Sequence, residues 1–181
     1  MQPQRSKTHI FKYFIGLSTV IILRLIPHPP SFQPIMANMM PYSKNWGKFS
    51  GCMFGVLSIL SYDLLTGTLG KWSLLTVGAY GLLGILSGIF FKQRKSSVKN
   101  YVTFAILGTL IYDIITGFGV GMLIFNQGFY QTLTGQIPFT IQSMLGNIVF
   151  SSILSPVIYK WILKNPKLED VYILQKLNLA K

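Results

Sequence analysis

The chain contains very little negative charge. Only four of its 181 residues are Asp or Glu, against 16 Lys and Arg, and charged residues make up 11% of the sequence. A soluble domain carries about a quarter charged residues. Half of the residues are hydrophobic, and the mean hydropathy is +0.48. This composition argues against a soluble domain and indicates a polytopic membrane protein, with residues 1–181 forming a single integral membrane domain.

Cysteine and histidine are also scarce. Cys52 is the single cysteine and cannot form an internal disulfide, while His9 and His28 lie far apart. The sequence has neither a cluster at metal-ligand spacing nor the G-x-x-x-x-G-K-[ST] loop that cradles nucleotide phosphates. We therefore expect the chain itself to have no enzyme activity, no cofactor and no metal, and we interpret Cys52 as a small packing residue.

Two of the four acidic residues lie in a repeated box. YDLLTG at 62–67 returns as YDIITG at 112–117, and hydrophobic positions also match when 53–67 is aligned with 103–117. An internal repeat of this kind suggests duplicated transmembrane hairpins. A carboxylate inside an apolar helix is costly, so Asp63 and Asp113 are candidate site residues. The alternative is structural, with the aspartates in an ion pair or bonded to backbone amides near the helix ends.

Apolar segments predict an all-α membrane protein, a bundle of about six transmembrane helices. The spans are 10–26, 31–43, 49–67, 72–91, 100–117 and 138–163, followed by a cytoplasmic tail at 164–181. The segment 31–43 is short, and it is a half-span or re-entrant segment in the alternative reading. With both termini cytoplasmic, only Arg24 and Lys71 among the 16 basic residues fall on or near the outer side. The basic surplus then reflects topology and contact with anionic lipid, and nucleic acid is not an expected partner.

Polar and aromatic residues predict a ligand pocket towards the outer side. Arg24 is the only cation at the predicted depth of the two aspartates, and Asn147 belongs to a polar stripe on the last span. The segment 118–137, predicted as a loop rich in amides and aromatics, could cover a cavity and stack on a flat, zwitterionic or partly cationic heterocycle. Structural hydrogen bonds and an interfacial aromatic belt are the alternatives. The predicted substrate-binding residues are Arg24, Asp63, Trp72, Asp113, Gln127, Tyr130, Gln136 and Asn147.

The order of four features resembles the substrate-binding (S) subunits of energy-coupling factor (ECF) transporters. They are a first span ending in RLIPHPPSFQPI at 24–35, a Gly-ridged helix ending in YDLLTG, a Gly-rich span ending in LGILSGIFFK at 83–92, and GQIPFT at 135–140 leading to LGN at 145–147. The resemblance covers residues 10 to 163. The R-x-x-PHPPSF stretch looks closest to an uncharacterised branch of these proteins.

The resemblance implies a function in transport at the cell membrane. It implies six helices, capture of a vitamin or related micronutrient on the outer side, and assembly with a transmembrane coupling subunit and two ATPase subunits, which would supply ATP hydrolysis. Family members often carry an A-x-x-x-A patch on helix one that docks the coupling subunit. Here Gly16 and Ser18 are the small residues of that region, so the docking patch is not a clean match.

Two other classes remain open. Scaffold proteins of the MreD cell-shape type are also small and polytopic, but the predicted polar loop at 118–137 and the proline-rich stretch at 27–34 favour a pocket. An intramembrane aspartyl protease would use Asp63 and Asp113 as a pair that shares a proton. Such enzymes carry a G-x-G-D box, in which the glycines precede the aspartate. Here the GFG at 117–119 follows Asp113.

Overall fold

The computed structural model describes residues 9–27 and 31–176, and this part of the chain is helical and contains no strand. The predicted all-α bundle is therefore confirmed. Six main helices are followed by a 3₁₀ turn at Pro166–Leu168 and a short helix α7. The helices are α1 (Ile10–Leu25), α2 (Ile35–Trp46), α3 (Lys48–Thr66), α4 (Lys71–Phe91), α5 (Val98–Ile124), α6 (Phe129–Leu163) and α7 (Asp170–Lys176). Outside the described residues lie His28 and three of the basic residues that the predicted topology puts on the cytoplasmic side, namely Arg5, Lys7 and Lys181.

Helices α3 to α6 are each long and apolar enough to cross a membrane. Helix α1 has 16 residues and α2 has 12, which corresponds to about 24 and 18 Å of length. Every residue from Ile35 to Ser43 of α2 is buried. A short helix is stable at membrane depth when protein surrounds it, so α2 fits the expectation of a shielded half-span.

Two ends of the last two helices differ from the limits of the predicted spans. Helix α5 runs seven residues beyond the predicted end at 117, with its second part, Ile114–Ile124, wound as a π-helix. Helix α6 begins at Phe129, nine residues before the predicted start at 138. Most of the predicted loop 118–137 is therefore helix, and only residues 125–128 connect α5 to α6. Pro138, the first residue of the predicted span, lies inside α6, because proline is tolerated inside membrane helices that neighbours support.

The two repeated boxes lie at matching places in two helical hairpins. Helix α3 packs antiparallel against α4 and α5 against α6, and these are the two most extensive helix pairs. In the first box the Thr66 hydroxyl donates to the Tyr62 carbonyl at 2.8 Å. In the second, the Thr116 hydroxyl donates to the Tyr112 carbonyl, also at 2.8 Å. The sequence repeat thus corresponds to a repeated structural unit.

Glycines hold the first hairpin together. A Cβ added at Gly55 would lie 2.6 Å from the carbonyl oxygen of Tyr80, and one at Gly84 would collide with the backbone of Gly51. Only residues without a side chain permit such a close approach of two helix backbones. The predicted small-residue ridges therefore serve packing.

Basic residues tie the helix ends together at one end of the bundle. The Lys12 ammonium donates to the Leu163 carbonyl and the Lys44 ammonium to the Phe91 carbonyl, each at 2.9 Å. Cations are favourable at helix C-termini, where carbonyls lack intrahelical partners. At the same end the Asp170 carboxylate accepts hydrogen bonds from the first two N–H groups of α1, those of Ile10 and Phe11. We call this the basic end.

Candidate functional site

A polar cavity of about 440 Å³ lies towards the end of the bundle opposite the basic end. Its walls come from the segment before α2, from α4, α5 and α6, and from the turn between α5 and α6. Along α6 it extends from Thr132 to Asn147, about 22 Å of helix. The lining residues are Ser31, Gln33, Tyr80, Tyr112, Thr116, Gly117, Val120, Gly121, Phe125, Gln127, Thr132, Gly135, Gln136, Phe139, Ser143 and Asn147.

The size and lining of this cavity suit a small molecule. Ligand sites are usually concave, of roughly 300–1,000 Å³, with apolar and aromatic walls and a few polar groups that fix orientation. A second groove, of about 530 Å³, lies between α1 and α3 and is lined by mostly apolar side chains, including Phe14, Leu17 and Leu57. Because polar atoms make up little of the surface of that groove, the polar cavity is the candidate site.

Two tyrosines form one wall of the polar cavity. The rings of Tyr80 and Tyr112 pack with their centroids 4.8 Å apart. This contact joins helices α4 and α5 at the cavity. The Tyr80 hydroxyl donates to the side-chain carbonyl oxygen of Gln33 at 3.3 Å. This bond attaches the segment before α2 to the cavity wall.

A hydrogen-bond chain orients Asn147 at the deep end of the cavity. The Thr109 hydroxyl donates to the Ala105 carbonyl at 2.7 Å, so its oxygen can only accept from a neighbour. The Asn147 amide nitrogen donates to it at 2.9 Å. The other side of the amide, Oδ1, is buried and accepts no hydrogen bond from any described residue. Asn147 is thus fixed with an unused acceptor.

Close packing of α5 on α6 shapes the opposite wall. A Cβ at Gly121 would lie 2.7 Å from the Thr132 methyl group, and one at Gly117 would collide with the side chain of Gln136. Thr132 is itself buried, and its hydroxyl has no hydrogen-bond partner among the described residues. Glycine at both positions in α5 therefore brings the polar side chains of α6 close to the cavity.

Asp63 has a structural role in this arrangement. Its carboxylate accepts a hydrogen bond from the Ser73 hydroxyl at 2.7 Å and a longer one from the Thr68 hydroxyl at 3.5 Å. Both donors lie after the end of α3, so the carboxylate fixes the turn from α3 into α4. Asp63 does not line the polar cavity, and its geometry matches the structural alternative.

Asp113 occupies the matching place in the second hairpin but has different neighbours. The side chain is 2% exposed, and neither carboxylate oxygen has a hydrogen-bond partner of good geometry in the described part of the chain, although the Thr140 hydroxyl is near enough for a weak one. It opens on a side cavity of about 230 Å³ between α5 and α6, together with Thr140 and Gln136. Gln136 lines both cavities. Asp113 is therefore next to the polar cavity without lining it.

Arg24 lies against the first box. Its guanidinium lies over the ring of Tyr62, 3.6 Å from the ring centroid, a cation–π contact. One guanidinium nitrogen, Nη1, is buried and has no hydrogen-bond acceptor among the described residues. Arg24 does not line the polar cavity. The predicted cluster of one arginine and two aspartates around a ligand is thus not brought together there.

The remaining predicted residues fall into two groups. Gln127, Gln136 and Asn147 line the polar cavity, as we predicted, whereas Trp72 and Tyr130 do not line it and are 49% and 80% exposed. An added Cβ at Gly16 would lie 2.8 Å from the Phe54 ring, so Gly16 is used in packing inside the bundle. Ser18 is half-buried on the same helix.

Sequence reasoning missed several lining residues. Three carried a usable signal: Tyr112 and Thr116 belong to the second box, and Ser143 belongs to the polar stripe that includes Asn147. Thr132 was missed because Pro138 obscured the helix on which it lies. Ser31, Gln33 and Tyr80 carried no such signal. The missed residues with polar side chains are Ser31, Gln33, Tyr80, Tyr112, Thr116, Thr132 and Ser143. Within the described ranges, no group of three His, Cys, Asp or Glu side chains could hold a metal ion.

Residues 3–167 match the model of a protein family described as a family of unknown function, DUF6580. No curated protein matches the chain, and no solved structure matches it.

Proposed function

The chain belongs to the DUF6580 family, and we propose that it is a substrate-capture subunit of an ECF-type importer for a vitamin or related micronutrient in the cell membrane. The observation that carries this proposal is the polar cavity among helices long enough to cross a membrane. The cavity lies away from the basic end, which the positive-inside rule assigns to the cytoplasm. A ligand would then enter from outside.

The energy source would lie in other subunits. The sequence has no phosphate-binding loop of the G-x-x-x-x-G-K-[ST] type, so two ATPases and a membrane coupling subunit are the proposed partners. Gly16 packs closely against Tyr42 and Phe54 inside the bundle, so it is not available for docking. We therefore propose that the coupling subunit docks on the side of α1 that faces away from the bundle, which includes the exposed Phe14 and Ile22.

Affinity purification from native membranes tests this proposal. The tagged chain is purified in mild detergent, and an unrelated polytopic protein with the same tag and abundance serves as control. We expect specific recovery of one membrane coupling subunit and of ATPase subunits. Recovery of cell-wall machinery instead would favour a scaffold of the MreD type and contradict capture. Double replacement Asp63→Asn and Asp113→Asn that abolished cleavage of a membrane substrate would favour the protease.

A further inference from the structure

The described residues that line the polar cavity include no ionised side chain. Among the 16 described residues that form it, none is Asp, Glu, Lys, Arg or His. Their polar groups are amides and hydroxyls, with aromatic rings from Tyr80, Tyr112, Phe125 and Phe139. A charged ligand would have to exchange its water shell for these neutral groups, which disfavours the charged form strongly.

The acidic and basic side chains nearest to the polar cavity lie behind its wall and do not make the entry of a charged ligand favourable. Three ionisable side chains are close enough to Tyr112 to act on it electrostatically: Asp113, Arg24 and Asp63. Arg24 lies on the Tyr62 ring, and Asp113 opens on the side cavity. These groups are of both signs and none of them lines the cavity, so none replaces the water shell that a charged ligand would lose there.

The amide side chains and aromatic rings of the cavity indicate which chemical groups an uncharged ligand would carry. Asn147 presents a fixed amide whose Oδ1 accepts no hydrogen bond from the described residues. A ligand with an N–H or O–H group could supply that bond, and a buried acceptor left without one is unfavourable. Gln127 and Gln136 can both donate and accept, while the aromatic walls favour a flat ring.

We infer that the ligand of the polar cavity is an uncharged, flat, ring-containing molecule with at least one hydrogen-bond donor. This inference rests on the proposed capture function and narrows its substrate class. It replaces the zwitterionic or partly cationic heterocycle that the sequence suggested, because Arg24, Asp63 and Asp113 do not line the cavity.

The test uses the purified full chain in lipid nanodiscs, dialysed to equilibrium against a small-molecule extract of the cells that produced it. Two variants accompany the wild type. Gly135→Phe places a ring at a lining position where an added Cβ meets no atom within 4 Å. Gly78→Phe does the same at a helix position with equally open space that does not line the cavity. Retained compounds are identified by mass spectrometry.

We expect the wild type and Gly78→Phe to retain the same compounds, and Gly135→Phe to retain them at least tenfold less. The inference predicts that these compounds are uncharged at pH 7, contain a planar ring and carry a donor. If they are carboxylates, phosphates or ammonium compounds, the inference is overturned while capture stands. If the wild type retains nothing beyond Gly135→Phe, the capture function is overturned, and the inference with it.

Discussion

Replacement of Gly55 by Ala should push helix α4 away from helix α3 and destabilise the first hairpin. The added Cβ would lie 2.6 Å from the Tyr80 carbonyl oxygen and 3.0 Å from its carbon, whereas ordinary contact begins at 3.4 Å. Both atoms are backbone, so helix α4 must move by about 0.8 Å. Overpacking of this kind costs about 1–3 kcal/mol. It is partly offset by the higher helix propensity of Ala, about 1 kcal/mol.

The matched control is Gly78→Ala in α4, where the added Cβ meets no atom within 4 Å. Since both variants gain the same helix propensity, the difference between them isolates the steric cost, and we expect Gly55→Ala to be less stable by about 1–3 kcal/mol. Unfolding in mixed detergent micelles, followed by tryptophan fluorescence, measures it. Equal stability of the two variants, within about 0.5 kcal/mol, would refute the close approach of α3 and α4.

Two further outcomes test the turn after α3 and the topology. Ser73→Ala removes the main donor to the buried Asp63 carboxylate, so we expect a loss of about 1–3 kcal/mol in the free energy of unfolding. Ser152→Ala, which removes only a bond within its own helix, should be nearly neutral, and equal losses would contradict the role of Ser73. In a background whose native cysteine is replaced by serine, Lys71→Cys should react with a membrane-impermeant maleimide on intact cells, whereas Lys95→Cys should react only after permeabilisation. The reverse labelling pattern would show that the protein has the opposite orientation in the membrane.

The sequence was sufficient to predict the helical bundle and its paired hairpins. Apolar runs long enough to cross a bilayer leave the backbone one stable conformation, the helix. The boxes at 62–67 and 112–117 marked the two copies. Helix starts were harder to predict, since Pro138 lies inside α6. A proline costs an isolated helix about 3 kcal/mol, but packing against neighbouring helices overrides that local preference.

The side-chain partners could not be predicted, because they depend on how each helix is rotated about its axis. Arg24 was predicted to line a ligand pocket with the two aspartates, but it lies over the Tyr62 ring. Asn147 was predicted as a lining residue, but its orientation comes from Thr109 on another helix. In a mostly apolar helix many rotations bury similar area, so contacts of this kind come from the packed structure alone.

The two copies of the repeat differ at the positions that decide what their aspartates do. Asp63 is held by the hydroxyls of Thr68 and Ser73. Fifty positions later the sequence has Phe118 and Leu123, so the second copy offers Asp113 no equivalent donors.

The glycines that follow the two aspartates differ as well. Gly67 has a φ of 68° and ends α3, a backbone conformation that glycine adopts without strain. Gly117 remains helical and packs against Gln136. Helix α5 therefore continues and supplies Thr116, Val120 and Gly121 to the cavity wall. The candidate site thus depends on the divergence of the second hairpin from the first, and not on the aspartates that the two copies share.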